Sequence, residues 1–215
     1  MTQRLYIRSV WVVFLACWLL LALHPHDRAD WLLENALTGV FAGLLLVSRR
    51  RYPLSSTAWT LLLLFGLLHT LGAHYTYSLV PYEAWGRQAL GLSLNELLGW
   101  ERNNFDRVIH LLWGYLLFLP VQDWFSGGSN PLRGDWRYWF PLEFIMATSL
   151  IYELIEWQAA EVFGGPLGAA YLGTQGDIWD AQKDMALASL GGVLMPIQLL
   201  LYRKWSHTNK AFYPS

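Results

Sequence analysis

Residues 173–202 read GTQGDIWDAQKDMALASLGGVLMPIQLLLY. A polar head carrying Asp177, Asp180 and Asp184 runs directly into an apolar stretch. Together with its first turn, that stretch has the roughly 20-residue length that crosses a bilayer core. Carboxylates at the mouth of a hydrophobic segment are costly, so they imply partners or a water-filled cavity. This junction implies a membrane helix that begins in an acidic turn, and with it the fold class.

The rest of the composition agrees. Hydrophobic residues make up 54% of the 215-residue chain and charged residues only 14%. Soluble domains average about a quarter charged. Thirteen Trp and 16% aromatics suit a protein with membrane interfaces, where Trp and Tyr concentrate. A net charge of −1 gives no basic field, and no nucleic-acid partner is expected. Cys17 is the single cysteine, which excludes an intrachain disulfide and argues against a Cys-based metal site. No repeat of fixed period is present.

Windows of adequate apolar length fall at about 8–24, 31–48, 54–73, 105–125, 137–158 and 181–202. The chain is therefore expected to be an all-α polytopic membrane bundle of about six transmembrane helices. Residues 1–215 form one integral-membrane domain, with 74–104 as a long extracytoplasmic connection. The first window resembles a signal peptide, with Arg4 and Arg8 ahead of it. Leu21 and Leu23 stand where cleavage needs small residues, so it reads as a retained helix. Six spans put both termini on one side. That side holds Arg4, Arg8, Arg49, Arg50, Arg51, Arg133, Arg137, Arg203, Lys204 and Lys210, ten of the fifteen Lys+Arg. The positive-inside rule makes it the cytoplasm. Thirteen of the sixteen acids and five of the six histidines then fall outward.

Acidic and imidazole groups recur at the outer helix ends. Asp177, Asp180 and Asp184 stand at i, i+3 and i+7, within roughly 60° of one another on one helix face. Asn103, Asp106 and His110 repeat that spacing at the start of the fourth span. Glu153 and Glu156 end the fifth span outward, and His69 with His74 end the third. Asp30, Glu34 and Asn35 begin the second. Asn103 and Asp177 have the simpler role of helix caps. Glu34 can be an interfacial first-turn acid. Capping does not reach His110 or Asp184, which sit about 10 Å into their helices. Nor does it serve Glu153 and Glu156, because the helix dipole disfavours an anion at a C-terminus. Several carboxylates in one dry site must bind metal, share protons or pair with Arg102, Arg107 or Lys183. The glycine-rich FGGPLGAAYLGTQGD reads as a loop and matches no nucleotide-binding spacing. LGLSLNELLGW (90–100) can form a short amphipathic helix over the pocket, or a solvated loop.

The stretches HTLGAHYTYSLVP (69–81), ERNNFDRVIHLLWG (101–114), YELIEW (152–157) and LGTQGDIWDAQKDM (172–185) resemble the YjdF-type family of bacterial inner-membrane proteins. The resemblance covers nearly the whole chain and implies a multi-pass protein of the bacterial cytoplasmic (inner) membrane. It supplies no reaction. Asp106 with His110, Glu153, and Asp177 with Asp180 ahead of ASLGG are more distantly similar to short motifs of VanZ-like membrane proteins. Those are linked to glycopeptide-antibiotic resistance.

The leading expectation is an outward-facing pocket that binds a divalent metal. Hard-to-borderline ligands suit Zn, Mn, Fe or Mg. His110, Asp180 and Asp184 are the first-choice ligands, with His69, His74, Asp106 and Asp177 as further candidates. Glu34, Asn103, Arg107 and Lys183 complete the pocket. Metal-assisted hydrolysis at the lipid interface would use Glu153 or Glu156 as base. Two other classes fit the same residues. A proton-coupled transporter would continue its polar path through Glu143. A non-enzymatic binder would hold a lipid head group or cell-wall precursor, its phosphate on Arg87, Arg102, Arg107 or Lys183. The bilayer is the expected partner, with a lipid or cell-envelope ligand beyond it.

Overall fold

In hydrocarbon every backbone N–H and C=O must be satisfied within the protein, which leaves helices as the solution for long apolar runs. The computed structural model describes residues 2–48, 51–127 and 131–212, with side chains described as far as Trp205, and all its regular structure is helical. In chain order these are α1 (Gln3–Ala22), α2 (Arg28–Ser48), α3 (Ser56–His74), α4 (Tyr82–Leu90), α5 (Leu94–Leu98), α6 (Phe105–Ser126), α7 (Trp136–Phe163), α8 (Gly165–Leu172) and α9 (Asp180–Phe212). Arg49 and Arg50 of the basic run, and the side chains of His207 and Lys210, lie outside the described residues.

Five helices, α1, α2, α3, α6 and α9, are long and apolar enough to cross a membrane. The sixth expected span, α7, is 28 residues long but is not among them. Its Trp, Tyr and Glu residues dilute its apolar character. It nonetheless lies alongside the others. Gln122 of α6 donates to the Arg137 carbonyl at one end (2.6 Å). At the other end Glu153 of α7 meets His110 of α6. Between them Leu142 and Ile145 pack against Gly192 of α9.

The helix ends gather at two levels. At one, the His26 N–H donates to the His74 carbonyl (2.8 Å), joining the α1–α2 turn to the end of α3. At the other, the Asp123 carboxylate of α6 accepts from the Ser55 N–H at the start of α3 (3.0 Å), and Gln3 donates to the Leu54 carbonyl (3.1 Å). Exposed side chains such as Leu15 and Leu19 of α1 and Leu194 and Leu201 of α9 face outward, as lipid-solvated helices require.

The core has two apolar clusters: Val10, Trp59, Leu62 and Leu117 among α1, α3 and α6, and Phe118, Ile145 and Met195 among α6, α7 and α9. The tightest approach is between α6 and α9. A Cβ on Gly114 would lie 1.9 Å from the Ala188 carbonyl oxygen, and one on Gly191 2.0 Å from that of Leu111. Only glycine allows such backbone contact, the small-residue packing that joins helices in lipid.

Two connections depart from expectation. The glycine-rich stretch taken for a loop contains α8. Gly164 and Gly165 adopt positive φ and break α7, but Gly168 is helical. A Cβ there would lie 2.8 Å from the Ala160 carbonyl, so this glycine serves close docking of α8 on α7. The 74–104 connection carries α4 as well as α5, which realises the helical alternative for 90–100. The Glu83 carboxylate accepts from Ser93 Oγ (2.6 Å) and the Asn95 N–H (2.8 Å), closing the two helices into a hairpin.

Candidate functional site

The α6–α9 crossing sets the site. One turn from Gly114 on the same face of α6 is His110, and one turn further is Asp106. On α9 the turn before Ala188 presents Asp184, and the one before that Asp180. The backbone contact thus brings four ionisable groups face to face. From α7, Ile145, Ser149 and Glu153 form a third buried stripe at i, i+4 and i+8.

Arginines take the outer part. Arg102, just ahead of α6, donates to Asp180 (2.5 Å) and to Asp106. It also reaches the carbonyls of Thr174 (3.0 Å) and Gly173 (3.3 Å). Arg107 donates to Asp177 and to Asp180 (3.1 Å). Lys183 adds a second cationic donor to Asp177 at 2.5 Å. Asp177 precedes α9 instead of opening its acidic stripe, and its Oδ1 caps the turn by accepting from the Trp179 N–H (3.0 Å). The Lys183 ammonium, the Trp179 N–H and the Arg107 guanidinium hold the Asp177 carboxyl well below the usual carboxylate range.

Deeper, the partners run out. Ligand atoms of His110, Glu153 and Asp184 all lie within 4.8 Å of one another. Those of Asp106, Asp180 and Asp184 do so as well. His110 Nε2 is 3.7 Å from Glu153 Oε1. Glu153 is 7% exposed and Asp184 4%, yet Glu153 Oε1 and Asp184 Oδ1 are buried without a hydrogen-bond partner. An unmet buried carboxylate oxygen is expensive. A cavity with about 370 Å³ of space, partly open, adjoins this corner. Asp184, His110 and Asp106 line it together with Glu34, Glu156 and three tyrosines, Tyr77, Tyr152 and Tyr171. The Glu156 carboxyl lies against that of Glu153.

The two outer histidines of α3 do not join this corner. His69 hydrogen-bonds Thr38 Oγ1 through Nε2 (2.7 Å) and the Tyr77 hydroxyl through Nδ1, so both ring nitrogens are engaged. His74 Nδ1 donates to the Leu21 carbonyl (2.7 Å), against α1. Asn103 is a tie and a cap: its Oδ1 accepts from the Phe105 N–H (3.1 Å) and its Nδ2 donates to the Val80 carbonyl (2.9 Å). Glu34 does reach the cavity, where its Oε2 accepts from the Tyr152 hydroxyl (3.2 Å). Sequence alone does not single out the tyrosines, because Tyr in a membrane protein suggests interface anchoring first. Tyr152, adjacent to Glu153 in YELIEW, was the available signal.

The profile of a family described as "Predicted membrane protein (DUF2238)" matches residues 6–205. The chain is 37% identical over 176 residues to the "Inner membrane protein YjdF" of Escherichia coli (strain K12), covering 81% of this chain and 79% of that protein. These matches carry the YjdF-type resemblance; the VanZ-like one stays a matter of short motifs. No solved structure matches. The chain spans the membrane several times, its relative is an inner-membrane protein, and it belongs to the DUF2238 family of membrane proteins.

Proposed function

We propose that the chain binds one divalent cation at its polar end through His110, Glu153 and Asp184, on the extracytoplasmic face of the membrane. The observation that carries this is the pair of buried, partnerless oxygens, Glu153 Oε1 and Asp184 Oδ1, beside an imidazole. Ligands about 2.1 Å from a shared ion stand roughly 3–4 Å apart, close to the spacing here. One nitrogen and two carboxylates suit Zn, Mn, Fe or Mg and leave coordination positions open. Glu153 is here a ligand, and Glu156 is the remaining candidate base. In a hydrolytic role the ion held by His110, Glu153 and Asp184 would supply Lewis-acid activation of water. Glu156 would take the proton of the water that attacks an ester of a lipid-like or envelope substrate, and would return it to the oxygen that leaves as that ester bond breaks.

Transport finds less support. Glu143, the acid on which an inward path depends, is exposed on α7 and is not among the residues lining the cavity at the polar end. A phosphate grip on Arg102, Arg107 and Lys183 is weakened by their engagement with Asp106, Asp177 and Asp180.

Metal analysis of the protein purified from membranes tests the proposal. Native protein retains about one equivalent of a divalent metal, and the His110→Ala/Asp184→Ala double variant retains none. Equal, near-zero content in both would end it.

A further inference from the structure

We infer that the part of the cavity bounded by α2 and α8 receives an ammonium group, the chemistry shared by amine-bearing lipid head groups and small free amines. This deepens the metal reading and rests on it for the neutralisation of Glu153 and Asp184. Glu34, 3% exposed, is the anchor: it lines the cavity and its carboxylate has one neutral donor, Tyr152 Oη. One turn earlier on α2, Asp30 is 1% exposed and both its carboxyl oxygens lack a partner. Two buried acids at i and i+4 cannot both stay ionised without positive charge nearby. The nearby basic side chains do not supply it, since Arg102, Arg107 and Lys183 are bound to Asp106, Asp177 and Asp180. No Lys or Arg lines the cavity among the described residues.

A second metal ion is the poorer fit. Among the described residues Glu34 belongs to no group of three ligand atoms within coordination reach. What surrounds it instead is aromatic. The rings of Tyr77, Tyr152 and Tyr171 share the cavity, and aromatic faces with a buried carboxylate are the usual recognition of organic ammonium.

Calorimetry tests this on the full chain in phosphatidylglycerol nanodiscs, with ethanolamine and its neutral analogue ethylene glycol as probes. Saturable ethanolamine binding is expected, at least tenfold tighter than ethylene glycol. Glu34→Gln should lose at least tenfold in ethanolamine affinity with metal content unchanged. Because that variant can fail to fold, the native comparison of the two probes stands on its own. Discs containing phosphatidylethanolamine name the source: abolished ethanolamine uptake means the lipid fills the site, undiminished uptake means a free amine does. No saturable ethanolamine binding in native phosphatidylglycerol discs, or equal uptake of both probes, overturns the inference. Metal content is measured on the same samples. Metal without amine sinks this inference alone, and amine without metal sinks the metal reading alone.

Discussion

Two carboxylate groups share Asp184 and little else. Asp106, Asp180 and Asp184 form one; His110, Glu153 and Asp184 form the other, and each brings its ligand atoms within 4.8 Å. The first lies under two guanidinium groups, with Arg102 bridging Asp106 and Asp180 and Arg107 reaching Asp180. The second has an imidazole and two orphaned oxygens. A count of acids alone therefore says little about where positive charge is missing. Internal arginines hold Asp106 and Asp180, whereas Asp184, shared by both groups, and Glu153 each keep a buried oxygen without a hydrogen-bond partner.

The largest effect should come from removing the bridge. Arg102→Leu leaves Asp106 and Asp180 facing each other and frees the loop held through the Gly173 and Thr174 carbonyls. Breaking a buried ion pair from one side costs about 3–5 kcal/mol, so a large drop in melting temperature in detergent is expected. An unchanged melting point would mean that the arginines do not hold the first cluster. A sharper contrast is in metal affinity. His110→Gln should weaken binding at least tenfold, whereas Asp106→Asn, in the arginine-held cluster, should change it little; similar losses in both would erase the distinction. The smallest effect concerns acid. Asp177 has its pKa lowered in the folded state, chiefly by Lys183, so its contribution is complete above the ordinary carboxylate range, about 3.9, and fades as pH falls below it. Native protein should therefore lose stability between pH 5 and about pH 3 more steeply than Asp177→Asn, in melting curves taken at each pH.

Length and hydropathy made the long helices legible, because a bilayer demands them. They did not reveal α8. Its glycines read as breakers, and only the approach of Gly168 to the Ala160 carbonyl shows that one of them is a contact surface. Within a helix, spacing identified the right stripes: His110 with Asp106, and Asp184 with Asp180. Spacing is silent on which helix faces which. His69 has both ring nitrogens engaged, by Thr38 and Tyr77, and His74 turns its Nδ1 to the Leu21 carbonyl. His110, Glu153 and Asp184, whose position neither a cap nor a dipole explains, do converge.

The contact of Gly114 with Ala188 lies one turn beneath His110 and Asp184, about 6 Å along the rods. Backbone atoms already touch at that point, so the gap above it cannot narrow, and widening it means levering two helices apart. An ion held there meets a seat of fixed radius. Discrimination by ionic size should consequently be strict, with small ions favoured over calcium, and set by the fulcrum and not by flexible loops.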